Sequence, residues 1–332
     1  MQTPLSISRR AWVNAVSAAL LAAVVVPAVA QPQAFPTRPI RVIVSSAAGG
    51  GSDFIARPVL ARMSESLGQP MLIDNRAGAS GIIAMEITAR AAPDGYTLLL
   101  GTIGNFATNT AVYSKLPFDP IRDFQPLSKL VDAPFLLSVH PSMPVNNLKE
   151  FIAYAKANPG KVTFSSFGIG SFPHLLGEHF SQRVGVQMIH VPYKGSAPAT
   201  ADQIAGNVLA AFDSTQSQIQ HIRAKRLRAL AIGTPARVAI APDLPTFAEE
   251  GLPNFEAIAW FGLFVPAKMP APLVSRLHGE IVKALAHPEV RERLEALGAI
   301  PVGNTPQEFA AQIKATIDVY VKVAHEGKIQ AQ

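Results

Sequence analysis

The sequence predicts an α/β protein of two lobes, each a mainly parallel sheet flanked by helices, with the chain crossing between them twice. Three observations carry this. First, 332 residues exceed what a single hydrophobic core of roughly 250–300 residues sustains. Second, short β-branched runs alternate with helical stripes, as parallel sheets require. Third, the alternation comes in two batches, followed by a helical C-terminal segment that has no sheet of its own and must pack on one of the lobes. With 48% hydrophobic and 16% charged residues, the chain is too apolar to be disordered. It holds no cysteine, which excludes a disulfide framework, a zinc knuckle, an iron–sulfur cluster and a thiol nucleophile.

The N-terminus is read separately. Arg9-Arg10 precede an apolar run from Ala11 to Val26, and Ala28-Val29-Ala30 gives the small-x-small pattern of a cleavage site. Residues 1–30 are expected to be an export signal cut after Ala30, because the apolar run is shorter than the roughly 20 residues that span a bilayer. Ser8-Arg9-Arg10-Ala11-Trp12 also resembles a twin-arginine signal, so both export routes stay open. The mature protein is expected to be soluble and extracytoplasmic.

In the first batch, Ile40–Ser45 reads as a strand and Ile55, Val59, Met63 and Leu67 as a helix stripe. Pro58 falls inside that helix and is expected to bend it. Met71–Asp74 is the next strand, Ile83–Ala91 a helix, Pro93-Asp94-Gly95 a turn and Tyr96–Leu100 the third strand. The second batch opens near Phe135–His140, with a helix on Leu148, Phe151, Ile152 and Ala155. Strands follow at Val162–Ser165, Gln187–Val191, Val208–Phe212 and Leu227–Ile232, and Ala257–Val265 is a further apolar run. Helices over about Ala271–Ala286, Pro288–Leu297 and Thr305–His325 finish the chain. The expected division is residues 31–131 with 256–332 for the first lobe and 132–255 for the second.

Ligands bind parallel α/β sheets where strand C-termini meet helix N-termini. After the first strand stands Ser45–Asp53, with Gly49, Gly50 and Gly51, and with Ser52 or Asp53 placed to cap a helix. Exposed amides and a positive helix end there favour an anion. After the second strand stands Asn75–Gly81, containing Gly78 and Ala79; after the third, Gly101–Asn105, containing Thr102. In the second batch, Ser165–Ser171 precedes the helix carrying His174, Tyr193-Lys194-Gly195-Ser196 precedes another, and Asp213-Ser214-Thr215 ends a strand. Together these loops predict a polar pocket of backbone amides and hydroxyls.

Other chemistries fit poorly. The glycine loop lacks the Gly-Lys-Ser/Thr ending of a P-loop and the G-x-G-x-x-G spacing. There is no G-x-S-x-G elbow, and the histidines show no H-E-x-x-H spacing. Ser171 and His174 lie three apart at a helix start without an orienting acid, so His174 reads as a pocket-wall or packing residue. Trp260 and Phe261 read as core or hinge. No cofactor and no metal are expected. The net charge of +6 is mild, and its densest cluster, Arg223-Ala224-Lys225-Arg226, has no interleaved aromatics, so no nucleic-acid partner is expected.

In combination these motifs resemble the Bug family, the extracytoplasmic solute receptors of tripartite tricarboxylate transporters. The resemblance runs through Phe35–Ile40, Gly49–Asp53, Asn75-Arg76 with Gly78 and Gly81, Pro93–Leu99, His190–Gly195, Pro245-Thr246, and Trp260 with Gly262 and Pro266. It implies a periplasmic binding protein fold, type II-like, that closes on a small carboxylate: a di- or tricarboxylate, an acidic amino acid or an aromatic acid. It also implies membrane transporter subunits as partners, a monomeric receptor and no catalysis. Carried over, the ligand contacts are Gly50, Ser52, Asp53, Gly78, Ala79, Thr102, Ser166, Ser171, His174, Lys194, Gly195 and Asp213. Three positions depart from the family pattern: Ala48 and Ala77 stand where proline is usual, and Ile169 where asparagine is usual. The last points to a less polar distal portion of the ligand, an aromatic or aliphatic monoacid. Two other functions share the pocket: a periplasmic enzyme on carboxylates or esters using Ser171, His174 or Asp213, and an adaptor for a membrane sensor kinase.

Overall fold

Near-continuous apolar runs make the first sheet. The computed structural model describes residues 35–46, 48 and 51–331, so the expected export signal at 1–30 and the site candidate Gly50 lie outside the described residues. Strand β1 (Ile40–Val44) is buried except at Arg41, as a strand covered on both faces should be. It leads into α1 (Gly51–Leu67), β2 (Met71–Asn75), α2 (Ile82–Ala89) and β3 (Thr97–Thr102). β1 pairs in parallel with β2 (Val42↔Ile73) and with β3 (Val42↔Leu98). Helix α1 runs without interruption through the buried Pro58.

A π-turn (Gly104–Thr108) and the short α3 (Asn109–Val112) precede β4 (Phe124–Val139), the longest strand. Then come α4 (Leu148–Ala157), β5 (Val162–Ser166), α5 (Phe172–Val184), β6 (Met188–Pro192), α6 (Ser196–Ile204), β7 (Ala210–Ser214), α7 (Thr215–Arg223) and β8 (Arg228–Ile232). The chain closes with β9 (Ile258–Pro266), α8 (Ala271–Ala286), α9 (Pro288–Ala296), β10 (Ile300–Pro301) and α10 (Pro306–Glu326).

The strand order is β2-β1-β3-β9-β4-β7-β5-β6, with β8 and β10 paired to β4. Each half keeps a parallel core, β2-β1-β3 in one and β6-β5-β7 in the other. The expected mainly parallel sheets are therefore mixed, since β4, β8, β9 and β10 all add antiparallel. A chain that leaves one sheet and returns to it must run both ways, and β4 and β9 are those two passages. β4 pairs with β9 up to Pro134↔Ile258, and from Phe135 onward with β7 and β8. At the changeover the Phe135 amide donates to Ala257 O, Gly233 N to Phe135 O, and Ala257 N to Gly233 O. Three backbones meet there so closely that a Cβ on Gly233 would lie 2.2 Å from the Ala257 Cβ.

Rings fill the core beside these passages. Phe106 stacks on Phe264 at 4.1 Å, and Trp260 meets Phe309 edge-on at 5.1 Å. Such pairs add about 0.5–1.5 kcal/mol each beyond the area they bury. Helix α10 begins at a Thr305/Glu308 capping box and lays Phe309, Ile313, Ile317, Tyr320 and Val323 inward. It runs along β4 and touches both α3 and α5, so the C-terminal segment braces both sheets.

Candidate functional site

The loops at the C-terminal ends of the first sheet are held by one side chain. Gly78, Ala79, Ser80 and Gly81 all take positive φ (121°, 45°, 53° and 83°). For Ala79 and Ser80 this costs free energy, so something must hold the turn. The Ser80 carbonyl accepts from Asn105 Nδ2 at 3.3 Å and Asn109 Nδ2 at 3.0 Å. The other face of the buried Asn105 amide, Oδ1, accepts from Ser45 Oγ, Thr102 N and Thr102 Oγ1 at 3.0–3.1 Å. Asn105 thereby ties the ends of β1 and β3 to the left-handed turn. A Cβ on Gly81 would sit 2.2 Å from Asn105 Nδ2, so only glycine fits. Asp53, in the first turn of α1, is buried and accepts from Arg57 Nε and Nη2 at 2.8 and 3.0 Å. Ser52 beside it is also buried.

The second sheet offers three loops. Ser166 Oγ lies 2.6 Å from His190 Nε2, donates to Gly168 O at 3.0 Å and accepts from Gly168 N at 3.1 Å. Ser171 Oγ donates to Gly168 O at 2.7 Å, and His174 Nδ1 accepts from Gly170 N at 3.0 Å. The rings of His174 and His190 stack at 3.6 Å. Burial pushes His174 down to about 4; burial, then the neighbouring His174, pushes His190 down to about 3. Both are neutral at pH 7. In the next loop, Lys194 is exposed without an ion pair to a described residue, and Gly195 caps α6 at φ 110°. In the third, Asp213 is 1% exposed. Its Oδ2 accepts from Ser196 Oγ (2.7 Å), Gln218 Nε2 (3.3 Å) and Thr200 Oγ1 (3.4 Å), and its Oδ1 from Ser214 N (2.6 Å). Burial raises its pKa, and hydrogen bonds, led by that from Ser196, oppose the rise. Ser214 caps α7 by accepting from Ser217 N at 3.3 Å.

These loops border two cavities. The larger, about 550 Å³, lies between Gly51 and Phe54 of α1 on one side and Phe167, Ser196, Ser214 and Ser217 on the other, with Pro134, Phe135 and Phe261 at its back. Three helix N-termini, those of α1, α6 and α7, therefore border one space. Alternation along β9 explains the rear wall, because Trp260 faces the core while Phe261 faces the cavity. The smaller cavity, about 230 Å³, brings Ser80 of the left-handed turn to Ile169, Gly170 and Ser171. Phe167 lines both.

The predicted residues thus fall into groups. Gly78 and Ala79 form the turn whose Ser80 reaches the smaller cavity together with Ser171. Ser52 and Asp53 follow Gly51 at the larger one, and Gly195 and Asp213 stand directly behind its Ser196. Thr102, Ser166 and His174 are engaged inside the loops and hold them in shape. Lys194 borders neither cavity. Asn105, Ser196 and Phe167 stood in the predicted pocket loops without being named as contacts, and Ser217, Phe54 and Phe135 were not foreseen. The signal for Asn105 was an amide side chain three residues past a strand end; the aromatic walls carried none, since an apolar residue on a helix, a strand or a loop alike reads as core.

Ser171 and His174 do not form a nucleophile–base pair, because the Ser171 hydroxyl is donated to a carbonyl and His174 Nδ1 holds a backbone amide. What the arrangement can do is bind: oriented amides and helix ends for an anion, rings for an apolar body. The comparisons agree. Residues 55–326 match the model of the tripartite tricarboxylate transporter family receptor. A UPF0065 protein of the tcbD-tcbE intergenic region in Pseudomonas sp. (strain P51) is 39% identical over 90% of this chain and 89% of its own. Protein BugT of Bordetella pertussis is 38% identical over 88% of this chain and 90% of its own. Among solved structures, R. palustris Rpa4515 with adipate is 36% identical with a TM-score of 0.77, covering 89% of this chain and 99% of that one. MatC from Rhodopseudomonas palustris with bound malate is 34% identical with a TM-score of 0.73, covering 87% and 99%. Fold and matched length agree, and the chain belongs to the tripartite tricarboxylate transporter receptor family, the Bug-type solute-binding proteins, which are receptors and not enzymes.

Proposed function

We propose that this protein is an exported receptor that captures a small organic carboxylate between its two sheets and presents the liganded form to the membrane subunits of a tripartite tricarboxylate-type transporter. The observation that carries this reading is the meeting of three helix N-termini, at Gly51, Ser196 and Ser214, on one 550 Å³ cavity with no lysine, arginine or histidine among its described lining residues. An anion is held there by oriented amides and shape, without a dedicated salt bridge. Adipate in Rpa4515 and malate in MatC support the carboxylate class.

On this reading residues 1–30 direct export, by the general or the twin-arginine route, and the mature chain acts as a monomer in the periplasm. The lobes are residues 31–131 with 256–332, and 132–255. The changeover at Phe135 and Ala257, with its shared backbone bonds, supports a hinge near both boundaries. A ligand touching both lobes only when they close stabilises the closed form by its differential affinity.

Mass spectrometry of small molecules released from purified, undialysed protein tests the reading, and an organic acid is expected. A thermal-shift screen gives the second test: at a hundred times Kd a ligand adds about 2.7 kcal/mol to stability. A carboxylate panel that leaves Tm unchanged would sink the reading.

A further inference from the structure

Directly behind the end of the cavity on the second sheet stands the buried carboxyl group of Asp213. We infer that the cognate ligand carries its carboxylate at one end only, and that its far end, facing Ser196 and Ser217, is a hydrogen-bond donor such as a hydroxyl or an amine. This rests on the carboxylate-receptor reading above and narrows it.

Asp213 is fixed in place. It lies between the N-termini of α6 and α7, the two helix ends of this half that reach the cavity, and makes no ion pair with a described lysine or arginine. Four donors converge on its two oxygens. Those donors, and the positive ends of two helices, favour the ionised carboxyl against the burial that raises its pKa.

Three consequences follow for a ligand. Two of the amides nearest Asp213 are in use: Ser214 N donates to Asp213 Oδ1, and Ser217 N to Ser214 Oγ. The hydroxyl protons are also in use, Ser196 Oγ donating to Asp213 Oδ2 and Ser217 Oγ to Ser214 O at 2.9 Å. A hydroxyl whose proton is engaged offers only lone pairs, so Ser196 and Ser217 can accept from a ligand but not donate to it. Finally, the cavity has no described cationic lining residue to offset a second negative charge near Asp213, and like charges brought together weaken binding. Between the two ends, Phe54, Phe135 and Phe261 present rings, which suit an apolar body.

The test uses two sets of acids differing only at the far end: hexanoate, 6-hydroxyhexanoate and adipate, then benzoate, 4-hydroxybenzoate and terephthalate. Kd values are measured by calorimetry on the mature protein. The hydroxy acid is expected to bind tightest in at least one set, with its diacid at least about tenfold weaker. Asp213→Asn should narrow that gap by about tenfold, a change of ratio that mere loosening of the fold would not produce. Should that variant fail to fold, the native ranking decides alone, and Ser196→Ala should reduce the advantage of the hydroxy acid over the unsubstituted acid. A diacid that binds the native protein as tightly as its hydroxy analogue, or more tightly, overturns the proposal and leaves the carboxylate reading standing. No binding by any of the six overturns this proposal, and a wider carboxylate panel that also fails overturns both.

Discussion

Single side chains set the shape of the loops at the end of the first sheet, and Asn105 is the clearest case. Its amide bridges Ser45, Thr102 and Ser80, so replacing it leaves buried polar groups without partners and releases a left-handed turn. Asn105→Ala is expected to cost about 1–3 kcal/mol in denaturant unfolding. It should also weaken carboxylate binding, whereas an exposed substitution such as Lys194→Ala should leave stability within about 0.5 kcal/mol. The stacked His174 and His190 give a second prediction. Both folded-state pKa values lie below the ordinary imidazole value, so the unfolded chain binds more protons as pH falls. Their contribution is fully present above about pH 6.5 and is lost as pH drops from there toward 4. Each histidine contributes on the order of 2–3 kcal/mol to that loss. His190→Phe keeps a ring on His174 and removes one titration, so its melting temperature should start lower at pH 7 but fall less steeply between pH 6.5 and 4.5. Parallel curves for the two proteins would contradict the assignment.

At the level of elements, the parallel cores were legible because β1, β3 and β5 are β-branched or apolar runs bounded by glycine and hydroxyl residues. The first half of β4 was not. Phe124-Gln125-Pro126-Leu127-Ser128-Lys129-Leu130 contains a proline, and its Ser128 and Lys129 are buried, so no alternation marks it as a strand. Distant partners satisfy much of its polarity: Ser128 Oγ donates to Asn304 O at 2.7 Å and Lys129 N to Asn304 Oδ1 at 2.9 Å, while Lys129 Nζ pairs locally with Asp132 Oδ2 at 3.0 Å. No local reading reveals a contact across so much chain. Antiparallel pairing was hidden for the same reason, since periodicity fixes which face a residue takes but not the direction of its neighbour. Helix ends were easier, because capping chemistry is local. At the head of α10, Thr305 Oγ1 accepts from Glu308 N at 3.2 Å, and the Glu308 carboxylate accepts from Thr305 N at 2.9 Å. Thr305→Ala should therefore cost about 1 kcal/mol in chemical denaturation. Because α10 braces both sheets, hydrogen exchange should rise along its first turns before it rises in β4.

The whole molecule turns on the place where its two passages touch. Gly233, Phe135 and Ala257 share three backbone hydrogen bonds, and the approach leaves no room for a Cβ on Gly233. The proposed hinge motion would be absorbed there or close by, since on either side β4 pairs with a different set of partners. Gly233→Ala forces these backbones apart, at an overpacking cost of about 1–3 kcal/mol. If the ligand works by selecting a closed arrangement, the substitution must also change affinity, although Gly233 borders neither cavity. Affinity then falls by the fraction of binding-competent molecules lost, while the contacts within the complex stay the same. Two measurements, made well below the melting temperature so that both proteins are folded, separate this from simple loosening. Calorimetry should give a weaker Kd for the variant. Small-angle scattering should give a contraction of the radius of gyration on ligand addition in the native protein, with more ligand needed to reach it in the variant. A native protein that binds its acid without contracting would remove the hinge from the mechanism and leave the cavity as a rigid cup.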